Sequence, residues 1–367
     1  MINQVNSSKF FFRTYALLVF VWMYFLFPKI NLIPISNFNL RLQDYISIII
    51  FFLMWSIKID RKVVFFLLLF CLFQFLIGFI YNQLIGVVFI LRLMQYILIG
   101  YAVYLLINSN LRKTFFYISF GIIFIYSLLQ FFLFIPNLDP GRGILYSTQF
   151  SGPFSTSAEL SYFITSTFLF FFSVGIFQRS LVSFLISLNG VIFAPLIYFA
   201  ISSLKRVILR LPRTLIIFLP YLFIFLLATY FIDLDILMAK VVTPEYQNLS
   251  ELQKGKSLNL TGIDGPLSFL FRVNKFLDII IYMLNNPLII LFGCGYGCGM
   301  GAIDSGIIRI LLEFGLIIPF LFMFIRFIPK YFLACFLGVN LLFDAFWSSQ
   351  VAPILFAAMF YINYLKE

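Results

Sequence analysis

The chain has 367 residues, of which 63% are hydrophobic, 21% aromatic and only 11% charged. A soluble domain carries about 25% charged residues, so 14 acids and 25 bases cannot cover a soluble globule of this size. The hydrophobicity equally excludes a disordered chain. The net charge of +11 is read as Lys and Arg in short loops that orient a membrane protein, and not as a nucleic-acid surface. Apolar runs near 20 residues recur along the whole length, which predicts an all-α polytopic membrane protein; the alternating strands of an outer-membrane barrel are absent from the pattern. Four cysteines, Cys71, Cys294, Cys298 and Cys335, are too few for a disulfide framework. There is no histidine, which removes the commonest general base and metal ligand.

In chain order, Lys9 and Arg13 precede an apolar run from Tyr15 with no small-residue cleavage site behind it, the pattern of an uncleaved signal-anchor. Spans are expected at 14–33, 45–57, 63–80, 84–107, 114–135 and 160–177, then at 214–232, 304–325, 331–346 and 351–365. Lys58, Arg61 and Lys62, then Arg112 and Lys113, then Arg179 mark cytoplasmic connections. The loops 34–44, 81–83 and 136–159 then face outward. A single crossing by 181–204 would carry Lys205, Arg206, Arg210 and Arg213 outside, and Asn189-Gly190 is a turn signal. That stretch is therefore expected as a short helix pair entering and leaving on the cytoplasmic side. Both termini are then cytoplasmic, and residues 1–367 form a single integral membrane domain of about twelve helical segments.

One large outward segment follows, 233–303. Its first part is polar; its second, SFLFRVNKFLDIIIYMLNN, has apolar residues on a helical period, interrupted by Arg272, Asn274, Lys275 and Asp278. This predicts an amphipathic helix lying on the membrane surface. Next comes NPLIILFGCGYGCGMGAIDSGIIRILLEFG. Pro287 stops the preceding helix, and Gly293, Gly295 and Gly297 allow a tight turn close to a ligand. Asp304-Ser305 then opens a span carrying Arg309 and Glu313 one turn apart. An N-cap and an (i, i+4) pair explain these residues structurally; charges so close to a membrane helix also point to a polar cavity.

An R-x-x-K pair on an amphipathic outward helix, then NPLIILFGCGYG, then a polar pair opening a span that ends EFG, together resemble the O-antigen polymerase and O-antigen ligase superfamily of bacterial membrane glycosyltransferases. The resemblance is tightest over 268–318 and extends loosely to GPFSTSAE at 152–159. It implies a GT-C-like fold, a place in the bacterial inner membrane and a periplasmic active site. Ligases of the superfamily carry a histidine followed by Asn, Ser or Gln, then nine residues, then glycine; Asp304-Ser305, nine residues and Gly315 keep that spacing with aspartate in the histidine position, and Ile318 departs from the ligase pattern too. The polymerase is therefore the expected activity, with a lipid-linked oligosaccharide flippase and the ligase as alternatives. A flippase would need polar residues through many spans, whereas here they cluster on one side of the membrane.

The resemblance implies a donor glycan on undecaprenyl diphosphate, passed to a hydroxyl of the next lipid-linked repeat unit, with a protein that regulates chain length as a further partner. Departure of the lipid diphosphate develops negative charge, and arginine meets phosphate without a metal. Arg272 and Arg309, helped by Arg142, are expected on the diphosphate, with Asp304 and Glu159 as candidates to orient or deprotonate the acceptor hydroxyl. Asp233 and Asp235 form a D-x-D at a span end, read as chance, so neither metal nor other cofactor is expected. Arg92 with Gln95 forms an intramembrane polar stripe that should face the bundle interior. Cys294 and Cys298 are able to bond in an oxidising compartment, or the glycines between hold them apart; Cys71 and Cys335 are packing residues.

Overall fold

A computed structural model describes residues 2–27, 31–35, 38–54, 61–108, 111–132, 134, 157–171, 193–231, 267–298, 305–324, 328–341 and 344–364. The described chain is mostly helical: α1 (Ile2–Leu26), α2 (Leu42–Met54), α3 (Arg61–Asn108), α4 (Arg112–Phe131), α5 (Ser157–Phe171), α6 (Phe193–Ser203), α7 (Lys205–Arg210) and α8 (Arg213–Phe231). There follow α9 (Leu267–Leu284), α10 (Pro287–Phe292), α11 (Gly306–Phe314), α12 (Ile317–Phe324), α13 (Lys330–Val339), a 3₁₀ turn (Ala345–Trp347) and α14 (Ala352–Tyr364). Among the described residues, Phe89–Ile107 is long and apolar enough to cross a membrane by length and composition. Shorter apolar segments accompany it, Phe12–Leu26, Thr114–Gln130 and Arg213–Leu226 among them.

Four expectations change. The loop expected at 34–44 contains two antiparallel strands, β1 (Asn31–Ile35) and β2 (Phe38–Arg41). Pro34 is tolerated there because a two-stranded ribbon has only edges. The loop at 81–83 is absent: α3 runs unbroken for 48 residues. Tyr81-Asn82-Gln83 is polar, but it carries neither proline nor a glycine pair, and polarity alone does not end a helix. The span expected at 304–325 breaks at Gly315 into α11 and α12, of nine and eight residues. Each is about 12–14 Å long, well short of a bilayer core. The span expected at 331–346 ends at Val339, where Asn340 closes the helix. Of the stretch 181–204 only the part from Phe193 is described, as α6.

The chain divides into two compact units. The first takes residues 1–63, 93–204 and 345–367; the second takes 64–92 and 205–344.

In the first unit, α1 packs on α2 and α4, and α5 packs on α6 and α14. Leu18, Val21 and Phe25 of α1, Ile50 of α2, Phe115 and Phe116 of α4 and Phe163 of α5 are buried in its core. α4 opens with Arg112 and Lys113 and has no side-chain cap, the wrong charge for a helix N-terminus; packing therefore holds it. A Cβ on Gly100 would sit 2.5 Å from Phe356 Cβ and 2.8 Å from the Pro353 carbonyl, so only glycine lets α3 approach α14 this closely. Trp22 Nε1–H donates to Phe115 O and Ser119 Oγ at 3.3 and 3.2 Å, tying α1 to α4.

In the second unit, α8 packs against α9, α11, α12 and α13, while α9 and α10 flank α11. The stretch expected as an amphipathic surface helix is helical, as α9, but Phe276, Leu277, Asp278, Ile279, Ile281, Tyr282 and Met283 are all buried, so its described part is enclosed on every side by neighbouring helices and not laid on a surface. Asn286 ends it by donating from Nδ2 to Tyr282 O at 2.8 Å, and Pro287 occupies the first turn of α10. Proline loses nothing there because that N–H has no helical partner.

Candidate functional site

The second unit builds a site from the segment after α10. Gly293, Gly295 and Gly297 have φ of 75°, 88° and 91°, values that side chains with a Cβ rarely adopt. A Cβ on Gly293 would collide with the Glu313 carbonyl, and one on Gly295 would lie 2.6 Å from Gly78 Cα of α3. The turn is closed covalently, since Cys294 and Cys298 are joined by a disulfide with Cα atoms 6.0 Å apart.

This turn completes α11. The last carbonyls of a helix have no internal partner. Here Cys294 N–H donates to Leu312 O and Gly295 N–H to Glu313 O, each at 3.0 Å, while Gly315 N–H closes on Leu311 O at 2.8 Å. Tyr296 N–H donates to Gln74 Oε1 at 3.1 Å. At the other end Ser305 is the N-cap residue, in an extended conformation and without a side-chain cap bond. Its hydroxyl donates to Leu341 O at 2.7 Å, and Ile307 N–H donates to Asn340 O at 2.9 Å. The stretch after α13 is thereby tied to the start of α11.

That tie brings in Asp344. Arg309 Nε donates to Glu313 Oε1 and Nη1 to Asp344 Oδ2, both at 2.8 Å. Arg309 and Glu313 are 4% and 0% exposed, Asp344 30%. Two carboxylates hold one guanidinium, so with all three ionised the cluster carries a net −1 charge. The fork expected to face a diphosphate is thus bracketed by anions, and a phosphate beside it would meet repulsion. Sequence reasoning missed Asp344, although a lone acid in an expected membrane segment is a signal for a functional or paired group.

The first unit holds the other described candidate. Glu159 lies in the first turn of α5 and is 7% exposed. Ser348 Oγ–H donates to Glu159 Oε1 at 2.9 Å, while Ser348 Oγ itself accepts from Gln350 N–H and Val351 N–H at 3.3 and 3.2 Å. Ser348 therefore caps the turn leading into α14 and holds the Glu159 carboxylate at that helix N-terminus, where negative charge is favoured. On α5, Thr167 Oγ1 donates back to Phe163 O at 2.8 Å. The buried hydroxyls of Ser161, Thr165 and Ser166 have no hydrogen-bond partner among the described residues. Sequence reasoning also passed over Ser348-Ser349-Gln350, a polar triplet opening the last helix.

Arg92 is half-buried on α3, and Gln95 Nε2 donates to Gln43 O at 3.3 Å. Arg272 lies on α9, with its side chain outside the described residues, as are Arg142, Asp304 and the pair Asp233 and Asp235. Cys71 and Cys335 are buried free thiols. Among the described residues, no group of three or more His, Cys, Asp or Glu side chains is placed to hold a metal ion. Comparison of the chain with protein-family models, with curated proteins and with solved structures finds no match.

Proposed function

We propose that the chain is a polytopic membrane glycosyltransferase of the O-antigen polymerase type, working without a metal on a lipid-diphosphate donor. The observation that carries this reading is the folded block α9 to α12. The described residues among those over which the resemblance is tightest pack together there, with a disulfide-closed glycine turn capping the helix that bears Arg309.

Membrane embedding is supported by the outer faces of the helices. Leu215, Leu219, Leu222 and Leu226 on α8, and Leu68, Leu69, Leu72, Leu76, Phe79 and Ile80 on the first half of α3, are all at least half exposed. Apolar stripes of this extent do not remain bare in water. A Cys294–Cys298 bond suits an oxidising compartment and so an extracytoplasmic position for the turn.

In the reaction, the bond between the anomeric carbon of the growing glycan and the diphosphate oxygen breaks, and the lipid diphosphate leaves with the electron pair. A hydroxyl oxygen of the incoming repeat unit bonds to that carbon, and its proton passes to a carboxylate, Glu159 or Asp304. Arginine meets the departing diphosphate: Arg142 where Glu159 takes the proton, Arg272 where Asp304 does. Arg309 acts one step removed, by holding Asp344 in place.

A deletion strain tests the reading. Loss of a polymerase leaves lipopolysaccharide core capped by a single repeat unit, ligase loss leaves bare core, and flippase loss leaves no unit on the outer surface. An unchanged ladder rejects the whole class. Arg272→Ala should leave an inserted protein that makes no long chains; long chains from it would remove Arg272 from the site.

A further inference from the structure

Two basic segments far apart in sequence close on each other in the second unit. α7 and α8 both pack on α13. Lys330 Nζ donates to Leu211 O at 2.8 Å and to Leu209 O at 3.4 Å. Arg213 Nη2 donates to Ile328 O at 2.8 Å, and Lys205 Nζ stands 4.9 Å from the centroid of the Tyr331 ring. Lysine on carbonyls at the end of α7 is the placement the helix dipole favours. It also means these contacts use up none of the positive charge.

Lys205, Arg206, Arg210, Arg213 and Lys330 thus share one rim. No acid occurs in 205–231 or 328–341, and among the described residues no carboxylate pairs with any of the five. Arg213 Nε is buried with no hydrogen-bond partner among the described residues. Lys205, Arg206 and Arg210 are exposed. Beside them Val207, Leu209 and Leu215 are also about half exposed. A face that merely solvates charge intersperses acids and avoids bare aliphatic side chains. Cations with no carboxylate partner among the described residues, set among exposed Val and Leu, match the boundary where lipid phosphates meet acyl chains.

We propose that this rim is a binding site for the phosphate headgroups of anionic phospholipids. Arg206 and Arg210 make the exposed contacts, and the rim thereby fixes the depth at which α8 and α13 sit in the bilayer. The site is independent of the glycosyl-transfer reading.

The full-length protein, purified in neutral detergent and mixed with equal amounts of phosphatidylglycerol and phosphatidylcholine, is separated from free lipid, and its retained lipid is quantified by mass spectrometry. Several-fold enrichment of phosphatidylglycerol is expected. Arg206→Gln with Arg210→Gln should reduce the enrichment on the order of tenfold, and Arg206→Lys with Arg210→Lys should restore most of it. No preference in the parent protein overturns the site, as does full enrichment in the double Gln variant. An equal loss from Arg112→Gln with Lys113→Gln also overturns it, because the effect would then be general charge. Complete displacement of lipid by millimolar glycerol phosphate rejects the lipid in favour of a soluble phosphate.

Discussion

The Arg309 guanidinium meets the Asp344 carboxylate at 2.8 Å, although the two residues stand 35 positions apart. Arg309 also reaches Glu313, one turn along α11. The local pair needs nothing but a helix. The distant one depends on Ile307 and Ser305 binding the backbone of Asn340 and Leu341, which turns the chain after α13 back toward α11.

Removing the shared cation should hurt most. Arg309→Ala removes the guanidinium against which the Glu313 carboxylate is buried and should cost about 3–5 kcal/mol. Asp344→Asn leaves Arg309 paired with Glu313 and should cost about 1–2 kcal/mol, since hydrogen bonds to a charged group are worth about that much. Thermal unfolding of the purified variants in detergent measures both; equal losses would contradict the asymmetry in burial.

The disulfide is expected to resist thiol reagents in the folded protein, with Cys294 and Cys298 reacting only after reduction. Replacing both by serine opens a short loop, which the chain-entropy model prices at about 2 kcal/mol. The turn also supplies the amide caps of Leu312 and Glu313, so the double variant should loosen α11 as well. Hydrogen exchange across 306–314 reports that loosening.

Continuity of α3 can be tested at a single position. Asn82→Pro inside an unbroken helix should cost about 3 kcal/mol and depress accumulation of the protein well below that of Asn82→Ala, because alanine keeps the helical backbone. A hairpin turn at 81–83 would accept proline, so equal accumulation of both variants would reject the long helix.

Glu159 and Ser348 separate chemistry from folding. Ser348→Ala removes both a cap and the donor to Glu159 and should cost about 1–2 kcal/mol. Glu159→Gln keeps the Ser348 hydrogen bond and the fold, and in the polymerase reading it abolishes long glycan chains. A normal ladder from Glu159→Gln in a stably inserted protein would leave the proton-accepting role to another group.

The helical character, the helix over 268–284 and the glycine-rich turn were legible from residue order, because each rests on local physics. Helical periodicity, proline at a helix start and glycine at positive φ are properties of a few neighbouring residues. Gly315 was read only as the end of a motif spacing, yet it breaks the expected span. Its φ is 64°, and Leu316 N–H turns to Ile290 O at 2.7 Å, a partner 26 positions upstream.

Residue order alone carried the helical character of the chain and the local shape of its richest segment, since periodicity and turn chemistry add up residue by residue. Only the tertiary structure decided that Asp344 answers Arg309, that Ser348 answers Glu159 and that Lys330 joins the cations of α7. Charges and hydrogen bonds act over a few ångströms of space, and distance along the chain says little about which groups will come that close.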